Sequence, residues 1–253
     1  MLNQIIQAHG GTLPSDVLVT FANTGREMPQ TLDFVRDCGD RFAPVHWLEY
    51  GRGEVTYETA SRHGEPFNAL IDKKQYLPNP VTRFCTSELK IRVMRDFARA
   101  QGWDNWTNIL GLRADEPHRV ARAKTNRDQW DNAMPLAEAG ITKADVAAFW
   151  ASKNWGLQLP TVKGKTPLGN CDLCFLKSYA TIYGIMRDRP ELANWWIEAE
   201  AEAKTRASKP LGAVFRKDRP SYAAILDMTR RQGDMIDPQH DDAATDCFCN
   251  GDT

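Results

Sequence analysis

The spacing of apolar residues changes along this chain, and the change divides it. From Asp16 to Asn23 (Asp-Val-Leu-Val-Thr-Phe-Ala-Asn) a short run of branched and aromatic residues lies between Pro14 and Gly25, which predicts a buried strand. Residues 28–38 follow with helical spacing, 44–50 read as a second strand, 87–101 as an amphipathic helix stopped by Gly102, and 106–112 as a third strand. Met1 to Ala8 reads as a helix with Leu2, Ile5 and Ile6 apolar, ended by the turn His9-Gly10-Gly11-Thr12. Thr142 and Asp145 have capping-box spacing and open a helix through Trp150, with Val146, Phe149 and Trp150 on its apolar side. Strands alternating with helices predict a parallel sheet covered by helices.

Beyond Cys174 the strand signals fade. Residues 177–187, 190–207 and 220–232 all read as helices, and 204–211 is a weak linker candidate. The chain is therefore expected to be an α/β domain over 1–177 followed by a helical extension and cysteine-containing tail over 178–253. The tail from Asp234 is acidic and turn-rich, a composition whose default is disorder unless something ligates it.

Composition adds few constraints. A chain of 253 residues with 42% hydrophobic residues can bury a substantial core, and no stretch approaches membrane-spanning length. The start, Met1-Leu2-Asn3-Gln4, has no basic segment leading into a long apolar run, so the expected location is the cytoplasm, where thiols stay reduced. The net charge of -1 is uninformative overall and does not exclude local patches. Lys90, Arg92, Arg95 and Arg99 fall close together, and Arg113, Arg119 and Arg122 follow. Such arginines form either a solvated helix face or a phosphate site, because the guanidinium fork matches phosphate oxygens.

Five of the six cysteines fall into three groups: Cys85, Cys171-x-x-Cys174 and Cys247-x-Cys249. A Cys-x-x-Cys turn lets two thiolates meet one metal, so the distribution points to a zinc or iron–sulfur site. Cys85, Cys171 and Cys174 are three candidate ligands. The tail supplies a fourth, assigned here to Cys249, although spacing does not choose between it and Cys247. Buried structural cysteines are the competing reading, and Cys38, inside a helical pattern, reads as core.

Four stretches, in order, resemble the phosphoadenosine phosphosulfate (PAPS) reductase family of the adenine nucleotide alpha hydrolase-like superfamily. They are Phe21-Ala22-Asn23-Thr24-Gly25-Arg26-Glu27-Met28-Pro29-Gln30-Thr31; Arg83-Phe84-Cys85-Thr86 with Leu89-Lys90; Gly111-Leu112-Arg113-Ala114-Asp115-Glu116-Pro117-His118-Arg119; and Pro135-Leu136 with Gly169-Asn170-Cys171-Asp172-Leu173-Cys174. The resemblance covers about residues 17–177 and implies a Rossmann-like parallel sheet, an iron–sulfur cluster of the 4Fe-4S kind with zinc as the alternative, and an adenylyl nucleotide, PAPS or ATP. Asn23, Thr24, Gly25, Lys90, Gly111, Arg113 and Arg119 would contact the nucleotide. A Thr-Gly pair at a strand end lies where open sheets place ligands. The plain alternative for Arg113 and Arg119 is ion pairing with Asp115 or Glu116.

The chain departs from the family in three places. Thr86 stands where cluster-bearing reductases carry a second adjacent cysteine. No Ser-Gly-Gly-x-x-Ser phosphate loop precedes the first strand, and Met1 to Ala8 reads as the helix that should follow it, so the domain reads as N-terminally incomplete. The tail reads Asp246-Cys247-Phe248-Cys249-Asn250-Gly251, without the histidine of thiol-dependent members. Cys247 is expected as a nucleophile toward the sulfonate sulfur, working with a thiol or other electron donor. The expected activity is sulfonucleotide reduction releasing sulfite, or ATP-dependent sulfur transfer. The alternatives are a non-catalytic zinc- or cluster-binding regulator, and a nucleic-acid-associated protein that uses Trp103, Trp106 and Trp130 beside the basic patch.

Overall fold

The chain opens with helix α1 (Leu2–Ala8) and strand β1 (Thr20–Asn23), half the length of the run expected for it. The shortening has a local cause: Val17 N donates to Pro14 O at 3.1 Å, so a turn consumes the first residues of the apolar run. The structure, a computed structural model, describes residues 1–125, 130–162, 165–206 and 213–232.

Helix α2 (Pro29–Arg41) leads to β2 (His46–Glu49), which pairs parallel with β1. A three-residue turn then returns the chain antiparallel as β3 (Gly53–Val55), so the first sheet has the order β1-β2-β3 and is not wholly parallel. Gly51 and Gly53 stand at φ 77° and 76°, a left-handed conformation that permits so tight a reversal. Helix α3 (Glu65–Lys74) follows, with Pro66 in its first turn and Phe67, Leu70 and Ile71 buried at helical spacing.

The expected helix over 87–101 starts earlier and is not uniform: α4 (Phe84–Thr86) passes through a π-helical turn (Ser87–Arg92) into α5 (Val93–Ala100). Next come β4 (Thr107–Ile109), α6 (Pro117–Lys124) and β5 (Asp131–Ala133), and β4 and β5 pair parallel as a second, two-stranded sheet. Helices α7 (Pro135–Glu138) and α8 (Lys143–Ala151) complete this part. The capping box at α8 forms as expected, with Asp145 N donating to Thr142 Oγ1 and Thr142 N to Asp145 Oδ2 at 2.8 Å.

The three C-terminal helices expected from periodicity all form. They are α9 (Tyr179–Asp188), whose first turn is capped by Ser178 Oγ accepting from Thr181 N, then α10 (Ala193–Arg206) after a single 3₁₀ turn, and α11 (Tyr222–Gln232). The linker expected over 204–211 lies mostly outside the described residues, as does the tail. Among the described residues no helix is long and apolar enough to cross a membrane.

The molecule is thus mixed α/β, and its residues divide into two compact units with interleaved segments. The first comprises Met1–Val19, Phe34–Val45 and Arg95–Leu157. Its core includes Leu112, Ala123 and Met134, and an aromatic group of Phe34, Phe42, Trp150 and Trp155 packs edge-on or tilted. The second comprises Thr20–Asp33, His46–Met94 and the chain from Gln158 onward, so α9 to α11 belong with the first sheet. Its core is larger: Phe67, Leu70, Leu89, Leu173, Phe175, Tyr183, Trp196, Phe215 and Tyr222 are all at most 2% exposed. Trp196 stacks on Tyr222 with centroids 5.2 Å apart, and Phe175 on Phe215 at 5.7 Å.

Candidate functional site

The C-terminal end of β1 turns sharply at Gly25, which stands at φ 76°. A Cβ there would sit 2.9 Å from Gly64 N, so glycine is required by the approach of another stretch of the protein's own backbone. Asn23 is 0% and Thr24 1% exposed, and both side chains are committed. Asn23 Nδ2 donates to Glu49 Oε1 at 2.6 Å and to Ser61 O at 2.8 Å, while its Oδ1 accepts from Gly25 N at 3.1 Å. Thr24 N and Oγ1 both donate to the Glu27 carboxylate, at 3.0 and 2.9 Å. The Thr-x-x-Glu spacing is that of a capping box, used here before the helix begins. Asn23, Thr24 and Gly25 therefore build the strand end, and their own polar groups are already engaged there.

The Cys-x-x-Cys turn docks onto this strand end. Glu27 and Cys171 form an antiparallel backbone bridge, Asp172 N donates to Arg26 O at 2.9 Å, and Thr24 Oγ1 lies 3.5 Å from Cys171 Sγ. The turn itself is tight, with Cys174 N donating to Cys171 O at 3.3 Å. Asn170, just before it, adopts φ 57°, a left-handed conformation asparagine tolerates well. Lys177 Nζ gathers the loop by donating to Gly169 O and Cys171 O, both at 2.8 Å, and Tyr222 Oη donates to Leu173 O at 2.6 Å.

Cys171 and Cys174 are buried, whereas Cys85, on α4, is half-buried. Burial pushes the Cys171 thiol up to about 12, with the Glu27 carboxylate and Cys85 adding to it; Lys90 and the Thr24 hydrogen bond act in the opposite sense. Cys85 and Lys90 thus lie within electrostatic reach of Cys171. The structure brings together, in the second unit, Asn23, Thr24, Gly25, Cys85, Lys90, Cys171 and Cys174. Among the described residues, however, no group of three or more His, Cys, Asp and Glu side chains is arranged to hold a metal ion. Cys247 and Cys249 lie outside the described residues. Cys38, expected in the core, is half-buried on α2, its thiol pushed up to about 11 by burial and Asp37.

Gly111, Arg113 and Arg119 belong to the first unit. Gly111 is exposed, and a Cβ there would meet only Met1 Sδ at 3.8 Å, so packing does not demand glycine. Arg113 and Arg119 do converge, but on a carboxylate of the chain itself. Arg113 Nη1 lies 3.4 Å from Glu116 Oε2, Arg119 Nη1 bonds Glu116 Oε1, and Arg113 Nε donates to Asp115 Oδ1 at 3.0 Å. Trp106 and Trp130 stack on each other with centroids 5.4 Å apart, leaving both half-buried.

Sequence patterns do not single out the residues that hold the turn. Asp172 sits between the two cysteines, 3% exposed, and accepts from Arg26, from Trp196 Nε1 at 2.8 Å and from Leu173 N at 2.7 Å. Glu27 is detectable from its spacing to Thr24. Arg26, Trp196 and Tyr222 are not, since their partners lie many residues away.

No protein-family profile matches this chain, and no solved structure matches it. It is similar to the uncharacterized nin region protein ORF290 of Escherichia phage lambda, with 29% identity over 182 residues. That match covers 64% of this chain and 57% of the phage protein, so the chain spans less than two thirds of the length of the curated relative it matches.

Proposed function

We propose that this chain is a cytoplasmic iron–sulfur protein of the PAPS reductase type, with a Rossmann-like α/β fold and a role in sulfur chemistry on an adenylyl nucleotide. One observation carries the reading: the strand end that the resemblance assigns to the nucleotide and the Cys-x-x-Cys turn that it assigns to the metal are one hydrogen-bonded structure, joined by the Glu27–Cys171 bridge and by Thr24 beside Cys171 Sγ.

The donor chemistry fits a soft metal. Cys171 and Cys85 are close enough to influence each other's charge and Cys174 is one turn on; burial and Glu27 hold Cys171 as the thiol, Lys90 offsetting them only in part, so loading would release its proton. Cys85, Cys171 and Cys174, with Cys249, would hold the cluster; the described side chains do not form a closed cage, so ligation requires the thiols to draw in. A bound cluster would supply electron-transfer capacity. The chain's own part is to fix the turn, through Lys177 on the Gly169 and Cys171 carbonyls, and to offer Cys247 as a thiol nucleophile. In that step the thiolate attacks the sulfonate sulfur, a protein thiosulfonate forms and the nucleotide leaves; a thiol reductant then releases sulfite and takes the cysteine sulfur into a disulfide.

The test is purification without oxygen, with the visible spectrum and the iron, zinc and acid-labile sulfide contents recorded. A brown protein with labile sulfide is expected, and Cys85→Ser or Cys171→Ser should abolish loading. Sulfite release from PAPS with a thiol and pyrophosphate release from ATP then separate the two chemistries. A colourless protein carrying zinc would favour a second reading, metal binding without turnover. The observation behind that reading is that Asn23 and Thr24 are buried with their hydrogen bonds already made, leaving no side-chain group there for a nucleotide.

A further inference from the structure

We infer that Arg26 and Asp172 form a latch that keeps the Cys-x-x-Cys turn closed over the end of β1, and that they are positioning residues for Cys171. The inference deepens the thiolate reading above and rests on it for its functional meaning, but the latch itself is read from geometry alone.

The turn is braced from two directions. On the helical side Tyr222 Oη holds Leu173 O, and Lys177 holds the Gly169 and Cys171 carbonyls. These contacts fix backbone only. On the strand side the link is ionic: the Arg26 guanidinium meets the Asp172 carboxylate with side chains 10% and 5% exposed, and Asp172 N donates to Arg26 O at 2.9 Å. An ion pair shielded to this degree resists opening, because separation leaves a charge without water or partner. The other oxygen of the same carboxylate is fixed by Trp196 Nε1 and by Leu173 N. Asp172 thereby ties α10, the cysteine turn and the end of β1 through a single side chain.

Arg26 is held in its turn. Its guanidinium lies 5.1 Å from the centroid of the Trp195 ring, and Trp195 Nε1 donates to Asn68 Oδ1 at 2.9 Å. Gly64 leaves room for that ring, since a Cβ there would come within 2.6 Å of Trp195 Nε1. Among the described residues the Arg26 Nε is buried with no hydrogen-bond partner, so the guanidinium makes its hydrogen bond to Asp172 alone. Cys171 is the cysteine next to the latch on the strand side, its Sγ 3.5 Å from Thr24 Oγ1 and its backbone bridged to Glu27, so its accessibility reports whether the turn stays closed.

The test uses the full chain, freed of metal by chelation under reducing conditions, with iodoacetamide as the probe and peptide mass spectrometry reading each cysteine separately. Arg26→Gln and Asp172→Asn, which remove the charge but keep much of the shape, should each raise the Cys171 alkylation rate by about tenfold or more. Cys38, in the first unit, should label at the unmodified rate. The double variant should be no faster than the single ones, because both act through one pair, and Arg26→Lys should restore most of the protection. An unchanged Cys171 rate in both single variants would overturn the latch, as would equal acceleration of Cys38, which signals general loosening. If Asp172→Asn gives no cooperative unfolding transition, Arg26→Lys against Arg26→Gln decides alone, since neither touches the Trp196 hydrogen bond. Metal content is measured on the unmodified chain in parallel. A chain that takes up neither iron nor zinc but shows the Cys171 effect keeps the latch and rejects the thiolate-site reading; the reverse result does the opposite.

Discussion

Glu49, in the second unit, and Glu116, in the first, each hold arginine, and the contrast between them separates two kinds of site. The Glu49 side chain is 0% exposed at the end of β2, and its oxygens accept from Asn23 Nδ2, Ser61 N, Ser61 Oγ and Arg52 Nη1, all at 2.6 to 2.7 Å. The Glu116 side chain is 12% exposed and is clasped by Arg113 and Arg119, themselves 28% and 29% exposed. The first arrangement is fixed by burial: without it Ser61 N and one Asn23 amide hydrogen would lose their acceptor, while Arg52 would keep Thr59 O and Ser61 Oγ. The second is less enclosed on its arginine side, since both guanidinium groups are more exposed than the carboxylate they hold. Sequence motifs give these two regions equal weight. Burial separates them: the Glu49 carboxylate at the β2 end is enclosed, whereas the arginines around Glu116 are reachable from solvent.

The largest test of this contrast is Glu49→Ala. It should destabilise the second unit by about 3 kcal/mol or more, since an interior charge network loses its acceptor, and urea unfolding monitored by tryptophan fluorescence would measure it. A loss under about 1 kcal/mol would erase the distinction. Glu116→Ala should cost about 1 kcal/mol or less in the same assay, and should strengthen binding of inorganic sulfate or phosphate by releasing Arg113 and Arg119; calorimetry that finds no anion binding in the variant would leave that pair a purely structural ion cluster. The smallest effect sharpens the exposed end of the comparison. A hydrogen bond from Arg216 holds the Asp218 carboxyl down at about 2, in a pair whose acid is 63% exposed. A depressed carboxyl contributes stability above its ordinary value and loses it as pH falls toward the folded value. The unmodified chain should therefore exceed Asp218→Asn by a few tenths of a kcal/mol at pH 5, the gap closing by pH 2 in thermal melts.

Elements set by local spacing are legible in the sequence. The Thr142–Asp145 box forms, and α9, α10 and α11 occur where periodicity puts them. Phe67, Leu70 and Ile71 with Pro66 carry the same kind of signal for α3, although it is not among the elements expected above. Strand β3 is harder to see, because a three-residue return through two left-handed glycines needs no hydrophobic alternation. The site divides in the same manner. The Cys-x-x-Cys turn and the Thr-Gly strand end are sequence-local and stand out as motifs. What joins them spans well over a hundred residues, as in Arg26 to Asp172, and no local pattern encodes such a pairing. Gly25 shows the limit most clearly: the motif implies a close approach, and the one the structure shows is to the Gly64 backbone, which no local pattern announces.

That meeting of two glycines also bears on how this protein can change over time. At Gly25 a single added methyl group would strike the Gly64 backbone; at Gly64 it would strike the Trp195 indole and come within 3.0 Å of Arg26 Cδ. Neither position can drift by itself, and a change at Gly64 would displace both the ring and the arginine that rests on it. Descendants of this sequence should keep Gly25, Gly64, Trp195 and Arg26 as one inherited block, lost or retained together.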